Sequence, residues 1–150
     1  MVADVPVLIP ATCRVLLDAQ RRFALALGHL VWCAIKRAGS AVRLFVSYCS
    51  KDRSAVERVV KGLTELRPNW RPFYDQHSLT AGYWMPQLAK GVEEAQAFLF
   101  FFGTRFGPWQ TIEYYGAFDR RAKEPDLPIV PVVMGHASAP GLPFFPQLQW

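Results

Sequence analysis

The sequence predicts an α/β fold, a parallel β-sheet flanked by helices on both faces. Three observations predict it. Between residues 42 and 134, short apolar stretches rich in β-branched and aromatic residues alternate with segments whose apolar residues recur at helical spacing. One stretch, Ala97-Phe98-Leu99-Phe100-Phe101-Phe102, carries no polar residue and therefore reads as the central strand, covered on both faces. Breakers such as Pro68 and Gly103 fall at the joints.

The elements follow in order. Val42 to Tyr48 is a buried strand. Ser50 or Asp52 caps the helix after it, whose apolar face is Val56, Val59, Val60, Leu63 and Leu66; Pro68 forbids its continuation. Trp70 to Asp75 is the second strand and Gln76 to Gly82 a polar loop. Trp84, Leu88, Val92 and Ala95 then mark one face of a second helix, with Pro86 tolerated in its first turn. Gly103 ends the central strand, and a third helix runs from about Pro108 to Lys123. Leu127 to Met134 is a fourth strand that accepts Pro128 and Pro131 only at its ends or on a sheet edge. A proline-rich tail from Ala139 leads to Leu148-Gln149-Trp150, the beginning of a fifth strand.

Residues 1–40 stand outside this rhythm and form an N-terminal extension, helical or disordered. Their apolar run, Phe23 to Ile35, is 13 residues long and broken by Gly28 and His29, whereas a membrane-spanning helix needs about 20. Lys36-Arg37 is wrong for a signal cleavage region. An amphipathic helical arm fits the segment, and so does a start codon assigned too far upstream. No membrane association is expected.

Composition excludes several function classes. The three cysteines, Cys13, Cys33 and Cys49, are odd in number and form no C-x-x-C, so neither a disulfide framework nor a zinc site is expected. A reducing, cytoplasmic compartment fits. His29, His77 and His136 are scattered without ligand-spaced partners, which predicts no metal. The net charge of +5 is uneven: residues 1–40 hold five Lys/Arg against Asp4 and Asp18. In the remainder, cations and anions are interspersed without a basic stripe, so no direct nucleic-acid partner is expected.

The stretch with the shape of a site is Gly107-Pro108-Trp109-Gln110-Thr111-Ile112-Glu113, directly after the apolar strand. Residues four apart share a helix face, so Trp109 and Glu113 can address one ligand. In open parallel sheets, ligands bind beyond the carboxyl ends of the strands, where this helix begins. The bland reading stands beside it: an aromatic in a first turn usually packs, and a glutamate there complements the helix dipole.

Four blocks, in order, make residues 42–150 resemble a Toll/interleukin-1 receptor (TIR) domain of the bacterial type. Leu44-Phe45-Val46-Ser47-Tyr48 with Ser50-Lys51-Asp52-Arg53 resembles the family's opening strand and helix start. Phe73-Tyr74-Asp75 with Leu79, Gly82 and Trp84 resembles its second strand and BB loop. Gly107-Pro108-Trp109 to Glu113 resembles its W-x-x-x-E signature. Ile129-Val130-Pro131-Val132, Leu142-Pro143 and Trp150 resemble its closing strands. The resemblance implies a flavodoxin-like arrangement, cut short at its C-terminus, since relatives continue beyond the position of Trp150.

Members of this family cleave NAD⁺ at the nicotinamide–ribose bond with the signature glutamate, so the resemblance nominates Glu113 as catalytic, with NAD⁺ as substrate and no cofactor. It further implies substrate contacts at Tyr48, Cys49 and Ser50, and at His77 in the BB loop. Trp109 and Trp84 are candidates to stack on a base, Trp84 more naturally as core. Homotypic association through the Gln76–Gly82 loop, a fused or neighbouring sensor, and a role in antiphage defence or innate immune signalling are implied likewise. Two departures touch the pocket wall: Gly103-Thr104 and Gly107-Pro108 stand where the family commonly has serines. As an exposed cleft carboxylate, Glu113 is not expected to be a stability determinant.

Three competing readings remain. Many TIR domains only self-associate, but these usually lack the signature glutamate, which is present here. A phospho-acceptor receiver domain needs an aspartate ending the third strand, and Phe101-Phe102-Gly103 offers none. A nucleoside deoxyribosyltransferase would use similar single-carboxylate chemistry, but it does not carry the ordered blocks.

Overall fold

The computed structural model describes residues 41–74 and 84–135, with Trp84 described by its backbone alone. The predicted extension at residues 1–40, the Gln76–Gly82 loop with His77, Asp75, and the tail from residue 136 lie outside the described residues.

Four strands form one sheet in the order β2-β1-β3-β4, where β1 is Val42–Ser47, β2 Trp70–Tyr74, β3 Ala97–Phe102 and β4 Ile129–Val133. All three pairings are parallel, with Phe45 opposite both Phe73 and Phe98, and Phe100 opposite both Ser47 and Pro131. Helix α1 (Arg53–Leu66), α2 (Trp84–Glu94) and α3 (Pro108–Lys123) supply the crossovers. The expected fold class is therefore the observed one. Every residue of β3 is buried, as its wholly apolar sequence requires of an interior strand in a two-faced sheet. Pro72 and Pro131 both lie in the outer strands of the described sheet, where a missing N–H costs least.

Strand alternation sorts the core into two layers. On one face Val42, Leu44, Val46, Tyr48, Leu99 and Phe101 meet Val56, Val60 and Leu63 of α1. Val59 is only partly buried and Leu66 is 42% exposed, so the predicted apolar face of α1 is one residue too generous at its C-terminal end. On the opposite face Phe45, Phe98, Phe100 and Phe102 meet Leu88 of α2 and Tyr114 and Ala117 of α3. That face is aromatic. Phe98, Phe100 and Phe102 stack along β3 at 6.2 and 6.4 Å, and Tyr114 sits edge-on to Phe100 at 5.6 Å. Such pairs contribute about 0.5–1.5 kcal/mol each beyond their buried area. They set the rotation of α3 on the sheet, and with it the direction of the preceding residue, Glu113.

The helix starts are built differently from expectation. Ser50–Asp52 form one 3₁₀ turn, and neither Ser50 nor Asp52 caps a helix through its side chain. The carboxylate of Asp52 is engaged elsewhere, by Thr104 beyond β3. The far end of α3 is pinned by Arg120, which donates to the carbonyls of Val92 and Ala95 at 2.7 Å and pairs with Glu124 at 2.8 Å. Those two carbonyls belong to the end of α2 and the turn after it, where a cation is favoured. Among the described residues no helix is long and apolar enough to cross a membrane.

Candidate functional site

Glu113 lies at the C-terminal end of β1, reached from α3. The helix begins abruptly: Gly107 is extended (φ −90°, ψ 163°), and Pro108 in its first turn supplies a preset φ and lacks a donor the helix cannot use there. Gln110 then ties that turn to the sheet. Its Nε2 donates to the Phe101 carbonyl at 3.1 Å and its Oε1 accepts from the Gly107 N–H at 3.2 Å. Thr111 closes the turn by donating its N–H and hydroxyl to the Gly107 carbonyl at 3.1 and 3.2 Å. One turn beyond Trp109, the Glu113 carboxylate arrives beside Ser47, whose hydroxyl donates to Oε2 at 2.5 Å.

Three buried polar or charged side chains occur among the described residues: Ser47, Gln110 and Glu113. Ser47 and Glu113 meet at the end of β1, and Gln110 ties the start of the same helix to β3. Burying a polar group costs free energy unless it is hydrogen-bonded, and burying a charge costs more. A core made for packing alone would hold none of them, which separates this junction from the rest of the sheet.

The rim is braced by Asp52. It accepts from the Thr104 N–H at 2.9 Å and from the Thr104 hydroxyl at 2.5 Å, linking the turn after β1 to the loop after β3. A Cβ added at Gly103 would collide with that carboxylate. With glycine at 103 the carboxylate keeps this position; a larger residue would oblige the Asp52 side chain to move. The departure from the family's serines is thus explained on one side: Gly103 makes room for Asp52, and Thr104 supplies a hydroxyl from the next position.

The remaining predicted residues are placed as follows. Trp109 is 51% exposed and stands at the rim, one turn before Glu113. Ser50 is exposed and Cys49 is 6% exposed, both at the turn following β1. Tyr48 has no accessible surface and belongs to the core layer under α1, meeting Tyr74 edge-on at 6.3 Å. The substrate contact expected at Tyr48 thus falls on a side chain of the packing layer. Tyr74 is held neutral, its pKa raised to about 12 by burial and then by the nearby charges of Glu57 and Tyr48. His77 and the Trp84 side chain lie outside the described residues. Glu113 itself, expected as an exposed cleft carboxylate, is 1% exposed. The reason is the depth at which the aromatic seat of Tyr114 sets α3.

Sequence reasoning passed over Ser47, Gln110 and Asp52. The available signal was a serine closing a strand whose other residues, Arg43 apart, are apolar, a position that a strand built only for packing fills with an apolar residue. A cleft of about 230 Å³ opens towards the other end of β1, between Arg43, Arg71, Phe73, Gly91 and Glu94. It contains none of the predicted site residues. Among the described residues no three His, Cys, Asp or Glu side chains gather as a metal site would require.

A family model described as a TIR domain matches residues 44–150, a span that takes in the whole of this site. Comparison with curated proteins gives no match, and comparison with solved structures gives none either.

Proposed function

This chain belongs to the TIR domain family, and from that premise we propose that it hydrolyses NAD⁺ at the nicotinamide–ribose bond, with Glu113 as the catalytic carboxylate. The observation that carries the reading is a single acidic side chain, buried and hydrogen-bonded to Ser47, at the strand ends where open parallel sheets bind ligands. One carboxylate suffices for this bond. Ordinary glycosidases pair an acid with a second carboxylate because their leaving alkoxide needs a proton; nicotinamide departs from a cationic pyridinium and needs none. As the C1′–N bond breaks, the electron pair goes to the ring nitrogen and positive charge grows on the ribose. A fixed carboxylate in a water-poor setting stabilises that charge, or attacks C1′ transiently. Water then adds at C1′, giving ADP-ribose and a proton. Glu113 also offers an acceptor for the ribose hydroxyls.

Trp109, half-exposed one turn away, offers an aromatic surface to the departing base, and Ser50 is exposed in the turn after β1. Activity is gained on self-association through the Gln76–Gly82 loop, in a defence or immune signalling context within the cytoplasm. A fused or neighbouring sensor supplies the trigger.

A second reading, a non-enzymatic TIR–TIR interaction module, has its own supporting observation. Trp109, Ile112 and Tyr115 are each about half-exposed on successive turns of α3, an apolar surface of the kind that marks protein contacts, while Glu113 beneath is closed to solvent. Nicotinamide release from NAD⁺ by the full chain at high concentration, with Glu113→Gln alongside, decides between them. Release that depends on Glu113 supports the hydrolase; none from folded, self-associated protein supports the interaction module.

A further inference from the structure

We propose that Ser47 is a positioning residue for Glu113, fixing the carboxylate in the orientation from which it acts. The assignment rests on the reading that Glu113 is the catalytic carboxylate. Alternation along β1 sends Val42, Leu44, Val46 and Tyr48 to the layer under α1, while Phe45 reaches the aromatic layer on the opposite face with Ser47 two residues on. Ser47 has no accessible surface and lies opposite Phe100 in the sheet register, in the middle of apolar neighbours. A buried hydroxyl there stabilises less than a methyl group of similar size unless it is hydrogen-bonded. Its partner is Oε2 of Glu113, 66 residues away in sequence, at 2.5 Å.

The geometry is suited to orientation. Glu113 hangs from a helix seated by Tyr114 on Phe100, so its Cα is fixed by packing, but a glutamate still has three side-chain torsions to settle. A donor on one carboxylate oxygen, mounted on a strand residue in register with β3, removes that freedom at the strand ends. A hydrogen bond to an ionised carboxylate is about twice as strong as one between neutral groups. The Ser47 hydroxyl is donated to the Glu113 carboxylate, so Ser47 acts through Glu113 and not on substrate. Its loss therefore lowers turnover and leaves substrate affinity largely alone.

The test is steady-state nicotinamide release by the full chain carrying Ser47→Thr, Ser47→Cys or Ser47→Ala, with near-ultraviolet circular dichroism to establish folding. Threonine keeps the hydroxyl, cysteine offers a weaker and longer donor, and alanine none. The expected order in kcat is wild type and Thr, then Cys, then Ala, with Ala lower by about 100-fold, the scale of a misplacement of about 1 Å. KM should stay within a factor of about 3, since uniform binding is untouched. A purely structural serine would show losses in folded fraction and none in the kcat of the folded molecules. If alanine fails to fold, the order of Thr above Cys decides alone. Wild-type release with a flat series would overturn the role of Ser47 and leave Glu113 standing; wild-type protein that releases no nicotinamide at any concentration would overturn both.

Discussion

Removing the Glu113 carboxylate should affect stability and catalysis separately, and the structure says by how much. Glu113→Ala deletes the acceptor of a hydroxyl that has no accessible surface. An orphaned buried hydroxyl costs about 1–3 kcal/mol, and relief from burying the carboxylate offsets part of it. A net loss of about 2 kcal/mol follows, a fall in Tm of roughly 4–8 °C for a chain of this size. Glu113→Gln keeps an amide oxygen within reach of Ser47 and should cost less than about 1 kcal/mol. Both variants should lose nicotinamide release, while only the alanine variant melts early. The cycle made by Ser47→Ala, Glu113→Ala and the double variant, followed by urea unfolding, should return a coupling of about 1–2 kcal/mol. A Glu113→Ala protein with wild-type stability and no coupling would refute the buried bond; a folded Glu113→Gln protein with full turnover would refute the catalytic assignment.

Gly103→Ala puts a methyl group where the Asp52 carboxylate lies, so that carboxylate must swing away from Thr104, at a cost of about 0.5–1.5 kcal/mol read by thermal melting; an increase in Tm would contradict the Asp52–Thr104 link. Tyr74 and Tyr114 are both raised to about 12, each chiefly by burial. Because their folded values lie above the ordinary value of 10.0, their contribution to stability is complete below about pH 10 and is lost as pH rises towards 12. Absorbance titration near 295 nm should show these tyrosines ionising late, together with unfolding; ionisation of every tyrosine near pH 10 in folded protein would contradict it. Specific activity should fall roughly tenfold or more over a hundredfold dilution if association completes the site, and constant activity would sink that requirement.

Periodicity carried most of the architecture. The α3 boundaries, Pro108 and Lys123, were readable from a proline at a permitted first turn and a cationic end, and β3 from six apolar residues in a row. Those signals are local. Leu66 was misjudged because helical spacing reports which face a residue lies on, not whether the sheet still extends beneath it. Glu113 was legible as a site residue but not as a buried one, because its depth depends on Tyr114 meeting Phe100, a contact between segments that only the tertiary fold brings together. Ser47, Gln110 and Asp52 were missed for the same reason: each is ordinary in sequence and acquires its role from a partner, and for Ser47 and Asp52 that partner lies more than fifty residues away.

The two outer strands of the described sheet each carry a proline, Pro72 in β2 and Pro131 in β4. Each withholds one donor from any ladder that a foreign strand would try to extend, so a neighbouring copy cannot zip on along an unbroken edge. For a protein whose family works by clustering, this matters. Contact between copies at either margin of the described sheet is thereby turned towards side chains, and the route to fibres through stacked backbones is interrupted there.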